Sequence, residues 1–342
     1  MQFRKLEENE IVKVNNLNPI GEKSWRSEFF SKDFQPSYIA ACEDGDNLAG
    51  CEGYIAYSLI QKGTLRLTHR SERTVIDGKY RGKGLFEKLI STCDQFALND
   101  NSAFSWGATA ALKPFKRAGF KGYVGFRSYI FFPIRSNFLK KAFSKIKFIN
   151  PILVYKVFKA KQIKDIKELL SWLSLFKPIK RNKIQSIEFT DFHYDQVKKL
   201  LLNNDQNYFK INPADSLFSW LEKKGLTYTK FLIHFENELI GYIILEKNLK
   251  FNYSSIKDIY FKSNTVTIEQ ILLSLSKVEC FSQFTSFFLA LNNNNKTHAS
   301  WIKNLSQAEV INLKKAGSFV IKPLKEKVSI SDLLLTDLWL EL

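Results

Sequence analysis

From Pro36 the chain reads PSYIAACED, then a polar turn GDNLA, then GCEGYIAYSLI. Both apolar runs are bounded by acidic residues and glycine, which predicts two strands joined as a hairpin. LRLTHRSERTVID continues in extended form, with Thr, Val and Ile suited to a strand. In GKGLFEKLISTCDQFAL the apolar residues Leu85, Phe86, Leu89, Ile90, Cys93 and Phe96 recur at helical spacing, so an amphipathic helix follows. A short strand near AFSW, a helix around ALKPFKRAG and strands within GYVGFRSYIFF complete a first segment, residues 1–136.

The pattern returns to globular character after residue 188. QSIEFTDF predicts a strand and YDQVKKLLLNN a helix. PADSLFSWLEKKG predicts a second helix, opened by Pro and Asp and closed by Gly. TKFLIHFE and ELIGYIILEKN flank the turn Asn237-Glu238 as a hairpin. TIEQILLSLSKVECF predicts a helix, and TSFFLAL and GSFVIKPL predict strands. Residues 188–342 thus repeat the element order of residues 1–136: strand, helices, hairpin, helix, strand.

Between them, residues 137–187 differ in composition. Thirteen Lys and Arg stand against Asp165 and Glu168, interleaved with apolar residues. Two helical stretches are expected, broken near Asn150-Pro151. The whole chain carries a net charge of +17 over 342 residues, which favours anionic partners, and its length suggests two domains. For the basic segment the readings are helices packed across the domains with a solvated lysine face, an amphipathic element on an anionic membrane, and a nucleic-acid surface. Phe138, Phe143, Phe148, Trp172 and Phe176 would anchor the membrane form, and the interleaved apolar bulk places it ahead of nucleic acid.

No apolar run approaches the roughly 18 residues of a membrane span, and the N-terminus mixes charge throughout, unlike a signal peptide. Cys42, Cys51, Cys93 and Cys280 form no CxxC pair, so no metal site is expected and the thiols read as reduced and cytoplasmic.

The chemistry concentrates at KYRGKGLFEKL, residues 79–89. A helix N-terminus exposes unpaired N–H groups and a partial positive charge, which together hold a phosphate. Gly82 and Gly84 let a ligand approach the backbone, and Arg81 and Lys83 add charge. GxxxxGK[ST] is absent, and the third glycine of the dinucleotide fingerprint is replaced by Glu87. What remains is R-x-x-G-x-G/A directly after a strand.

RTVIDGKYRGKGLFEKLI, with the hairpin before it and KPFKRAGF after it, resembles the acyl-CoA-binding core of the GNAT N-acetyltransferases over residues 28–130. The resemblance implies a mixed α/β sheet of that fold, followed by a second, degenerate GNAT-like domain in residues 188–342. It implies that the amides around Arg81, Gly82, Lys83, Gly84 and Leu85 hold the pyrophosphate of acetyl-CoA. Thr74, Val75 and Ile76 would be splayed from the neighbouring strand, pair with the pantetheine arm and polarise the thioester. A neutral amine would then attack the carbonyl directly.

Two departures stand out. Phe86 occupies the motif's last position. Phe115, four residues before Gly119, stands where many members place a Tyr that protonates the leaving thiolate. Tyr123 or Tyr129 is the expected substitute, or water. Glu72 is the expected base, ahead of Asp77, Glu43 and His69. Trp106, Gly107 and Thr109 fall near the acyl or acceptor site.

The function expected is transfer of an acetyl group to a small primary amine, such as an amino sugar. The alternatives are a non-catalytic CoA-, lipid- or nucleic-acid-binding protein and an aminoacyl-tRNA-dependent transferase. The expected location is the cytoplasm, with peripheral contact at the inner face of the membrane.

Overall fold

The structure is a computed structural model and describes residues 1–123, 126–131, 187–204, 207–223, 225–249, 253–262, 266–282, 286–292, 294–307, 310–313, 318–335 and 339. The basic segment 137–187 lies outside the described residues save for its last position.

In chain order the described elements begin with β1 (Gln2–Lys5), α1 (Ile11–Leu17), α2 (Glu22–Phe29), β2 (Tyr38–Asp44), β3 (Asn47–Gln61), β4 (Thr64–Ile76) and α3 (Leu85–Asn99). Next come β5 (Phe104–Ala108), α4 (Leu112–Arg117), β6 (Lys121–Tyr123), β7 (Phe126–Phe131), β8 (Ile187–Asp191), α5 (Tyr194–Leu202) and β9 (Lys210–Ile211). Then follow α6 (Asp215–Lys223), β10 (Tyr228–Phe235), β11 (Glu238–Asn248), β12 (Tyr253–Phe261), α7 (Ile268–Leu275) and α8 (Glu279–Ser282). The last are β13 (Ser286–Asn292), α9 (Lys296–Gln307), β14 (Val310–Leu313) and β15 (Phe319–Pro323).

The chain divides into two compact units. One holds residues 1–124, 201–220 and 317–333, the other 125–200, 221–316 and 334–342.

In the first unit the sheet order is β1-β2-β3-β4-β5-β15-β6, with β9 against β3. β1 to β4 are antiparallel neighbours. β4 and β5 are parallel, so they need a crossover, and α3 supplies it. Leu85, Leu89, Cys93 and Ala97 recur every four residues along α3. They bury one stripe against Tyr38, Ala40, Cys42 and Tyr54 of the sheet. Alternation along β3 sends Tyr54 to that face and Gly53 to the other. A Cβ at Gly53 would overlap the Phe29 ring, so glycine lets α2 lie directly on the strand.

In the second unit the order is β14-β7-β13-β12-β11-β10-β8. Read from β8, four antiparallel strands again lead to one parallel step, β12 to β13, and then to two antiparallel strands. Its core packs Ile243, Ile259, Leu272, Phe287 and Trp301 among others.

The two sheets therefore share one strand plan, and each takes its sixth strand from the far side of the sequence. β15, from GSFVIKPL, completes the first sheet, and β7, from FRSYIF, completes the second. The contiguous boundaries expected at 136 and 188 do not follow this exchange. A β-strand recruits whichever edge is open, and hydrophobic period carries no information on sequence distance. No described helix is long and apolar enough to cross a membrane.

Candidate active site

β4 ends at Ile76 and the chain turns through a short 3-10 helix, Gly78–Tyr80, which Asp77 caps by accepting from the Lys79 amide at 2.9 Å. Gly82 and Gly84 then adopt φ of +79° and +70°, the left-handed region where a side chain costs energy. A Cβ at either position would meet nothing within 4 Å. These glycines therefore answer to backbone conformation and to open space outside the turn, not to packing. Gly84 is the N-cap of α3 and offers no side-chain cap. Arg81 is exposed, its Nε donating to Ile76 O at 3.1 Å, and Lys83 Nζ sits 5.1 Å above the Tyr80 ring. Glu87, in the first helical turn, accepts from its own backbone amide and pairs with Arg117 at 2.7 Å.

The parallel step beside this turn is short. β4 and β5 pair only at His69↔Ser105 and Arg70↔Trp106, although β4 runs on to Ile76 and β5 to Ala108. From Ser71 onward the two strands part. β4 also bulges there: Gly53 of β3 faces Glu72 and Cys51 faces Val75, so Glu52 alone stands opposite Arg73 and Thr74. Arg73 takes φ +62° to make the bulge. A bidentate pair with the buried Glu28 of α2, at 2.7 and 2.8 Å, holds it there. Among the described residues no strand pairs with Thr74, Val75 and Ile76 on the side toward β5.

Each face of this opening carries its own set of groups. On the α3 face, Glu52 is fully buried. It accepts from Ser71 Oγ at 2.5 Å and from Thr74 Oγ1. Burial pushes its carboxyl up to about 8, with the hydroxyl bonds opposing and the carboxylates of Glu72 and Asp94 adding. Asp94 of α3 accepts from Tyr54 Oη at 2.7 Å and pairs with Lys322 of β15 at 2.6 Å. Lys322 also donates to Ala118 O at 2.7 Å, which fixes the Gly119-Phe120 corner. Phe115 lies on this same side, edge-on to Phe86 at 5.0 Å and to Phe120 at 5.1 Å.

On the α2 face, Glu72 pairs with Arg70 at 3.2 Å. The Arg70 guanidinium lies 5.7 Å from the centre of the Trp106 ring. Trp106 is fully buried, donates from Nε1 to Thr68 Oγ1 at 3.2 Å and packs between Tyr57 and Phe319. Gly107 sits at the vertex, where an added Cβ would lie 3.5 Å from Ser71 O.

The structure thus brings together Glu72, Thr74, Val75, Ile76, Arg81, Gly82, Lys83, Gly84 and Leu85 along one strand, turn and helix start. Several other expected residues lie apart from that line. Tyr123 is on the edge strand β6, in register with Phe319, which in turn faces Ala108. Two strand spacings, about 10 Å, separate it from β5. Tyr129 is buried in the second sheet. Glu43 pairs with Arg4 at 2.7 Å at the far edge of the first sheet. His69 is sealed in the core, bonded to Ser102 Oγ at 3.0 Å and Pro36 O at 2.7 Å, and burial pulls it down to about 4. Thr109 Oγ1 accepts from the Ala111 amide at 2.9 Å and opens the loop into α4.

The corresponding place in the second sheet is built differently. β12 and β13 pair from Tyr253↔Ser286 to Ile256↔Leu289 and then stop. The helix that follows, α7, is closed by a capping box. Thr267 Oγ1 accepts from the Gln270 amide at 3.2 Å, and Gln270 Oε1 accepts from the Thr267 amide at 2.8 Å. The N-cap residue of α7 thus caps its helix with its own side chain, whereas Gly84 leaves α3 without an N-cap side-chain bond. A cavity of about 220 Å³ lies beside this second step, lined by Glu246, Lys257, Tyr253 and Phe288 among others.

No family model matches the chain, and no curated protein matches it. Solved structures do. A GCN5-related N-acetyltransferase from Anabaena variabilis superposes with a TM-score of 0.59 at 11% identity, over 95% of this chain and 73% of that one. A probable N-acyltransferase from Enterococcus faecalis gives 0.59 at 10%, over 95% and 73%. Eis1 from Mycobacterium abscessus gives 0.57 at 8%, over 95% and 74%. Identities this low speak to architecture alone. Together with the bulged fourth strand, the single short parallel step and the glycine turn, they lead to one conclusion: this chain has the GCN5-related N-acetyltransferase fold.

Proposed function

We propose that the protein is an acetyl-CoA-dependent N-acyltransferase that passes the acyl group directly to a primary amine, such as that of an amino sugar. The observation that carries this reading is the parting of β4 from β5 beside a glycine turn whose helix has no side-chain cap. The amides at the start of α3, with Arg81 and Lys83, hold the pyrophosphate. The open edge of Thr74, Val75 and Ile76 pairs with the pantetheine arm and orients the thioester. Glu72, on the opposite face from α3, is the proton acceptor on the amine side.

The test is release of CoA thiol from acetyl-CoA in the presence of primary amines, amino sugars included. Arg81→Glu places a negative charge on the turn and is expected to raise the KM for acetyl-CoA at least tenfold. An unchanged KM overturns the assignment of the turn. A second reading, a CoA-binding protein without transfer, is favoured by Phe115 alone. Acetyl-CoA binding with no thiol release across the amine panel would select it.

A further inference from the structure

A carboxyl group stands behind the opening with no task in the scheme above. Glu52 is the lone charged residue of the run AGCEGYIAY, and both of its side-chain contacts are hydroxyls of β4. Ser71 is the first β4 residue past the last β4–β5 pair, and a Cβ at Gly107 would lie 3.8 Å from Ser71 Cβ, so Ser71 stands at the vertex with its hydroxyl bonded to Glu52. Both groups lie on the α3 face, the side that also holds Phe115. We propose that Glu52, acting through the Ser71 hydroxyl, returns a proton to the departing CoA sulfur, the task that Phe115 cannot perform. This rests on the transferase reading above.

The step balances as follows. The amine nitrogen forms the new C–N bond and the C–S bond breaks, its electron pair leaving on sulfur. When Glu52 carries its proton, the 2.5 Å contact runs from the carboxyl to Ser71 Oγ and the Ser71 hydrogen is free to turn to the sulfur; Ser71 Oγ–H protonates the sulfur while Glu52 reprotonates Ser71, so the carboxylate is left on Glu52. The nitrogen releases its extra proton to the amine-side base and solvent, and solvent restores the Glu52 proton. Ser71 is the catalytic residue here, and Glu52 is the positioned reservoir behind it.

The surroundings keep that reservoir filled near neutral pH. β2 presents Ala40 opposite Glu52 in register. α3 presents the Cys93 thiol, which donates to Glu52 O at 3.5 Å, and Asp94. β3 adds the Cys51 thiol and Tyr54. β4 adds Glu72, and β15 adds Lys322, whose ammonium is spent on Asp94. Burial and two carboxylates thus oppose ionisation, and the hydroxyl bonds alone favour it.

The test compares kcat against pH, from 6 to 9.5, for wild type, Glu52→Gln, Ser71→Ala and the double variant Glu52→Gln/Phe115→Tyr, with acetyl-CoA and the best amine of the panel. Glu52→Gln keeps volume and hydrogen bonding, so a purely structural role survives it. The relay predicts that wild-type kcat falls above about pH 8. Glu52→Gln and Ser71→Ala should each lower kcat about 100-fold, with little change in KM for acetyl-CoA, and lose that alkaline limb. The added Tyr should restore at least tenfold. A Glu52→Gln enzyme with wild-type kcat and profile overturns the relay and leaves the transferase reading standing. A folded wild type that binds no acetyl-CoA overturns both.

Discussion

Replacing Glu52 by Gln tests the burial of this carboxyl through stability, with no substrate present. In the unfolded chain a glutamate ionises near 4.5, and in the folded protein Glu52 holds its proton to about 8. Between these values the folded state binds a proton that the unfolded state has lost, so stability falls as pH rises. Below 4.5 both states are protonated and the penalty is absent. The slope is at most ~1.4 kcal/mol per pH unit, so the full loss across the window is about 4–5 kcal/mol. Gln carries no titrating proton and removes this component. Urea titrations at constant ionic strength, at half-unit steps from pH 4.5 to 8.5, give the difference between variant and wild type directly. That difference should grow steadily in favour of Glu52→Gln and level off above about pH 8. A fixed offset at every pH is harmless to the argument. Profiles that stay parallel from pH 5 to 8 show that Glu52 ionises as an ordinary glutamate, and the account of this face is then wrong.

Gly53→Ala places a Cβ into the Phe29 ring and 2.9 Å from Glu72 O, so it should destabilise the protein by about 1–3 kcal/mol in chemical denaturation; an unchanged midpoint would show that α2 does not lie on β3 as described. His69 is held neutral well below its ordinary 6.5, down to about 4. Its contribution is full above pH 6.5 and is lost as pH falls toward 4, by about 3 kcal/mol, and the NMR titration of its ring should show no protonation at pH 5.5. Ordinary titration near 6.5 would place that ring in contact with solvent.

Much of the first unit is legible in the sequence because its signals are local. The hairpin from Tyr38 to Gln61, the stripe of Leu85, Leu89 and Cys93, and the turn from Arg81 to Gly84 each declare themselves within about 25 residues. The exchange of β7 and β15 is not local. GSFVIKPL reads as a strand, but its partner edges on β5 and β6 lie some two hundred residues earlier, and nothing in its period names them. Strand β12 and helices α1, α2 and α9 also escape notice. Apolar and polar positions in SSIKDIYF do not alternate cleanly, because both faces of β12 are buried from Ser254 to Phe261.

Glu52 escapes as well, since a carboxylate within a hairpin strand passes for a solvent-facing position. One signal was available. Its neighbours from Ala49 to Tyr57 are small, thiol, aliphatic or aromatic, a composition that buries both faces and leaves one charge to be explained. The sequence points to Glu72 by its place in the strand near the splay and to Tyr123 as a hydroxyl in place of Phe115. The first faces Arg70 and the second lies beyond β15, facts that depend on bulge and sheet order.

The central claim is that the turn from Arg81 to Leu85 is an acyl-CoA site. Titration calorimetry with acetyl-CoA on wild type and Gly84→Glu tests it most directly. Gly84 faces open space, so the variant keeps the core while placing a carboxylate and a disfavoured left-handed residue at the start of α3. The account predicts micromolar binding by wild type and its loss in the variant, with the circular dichroism of both proteins alike. A folded wild type that releases no heat with acetyl-CoA, or a variant that binds as tightly as wild type, would contradict it.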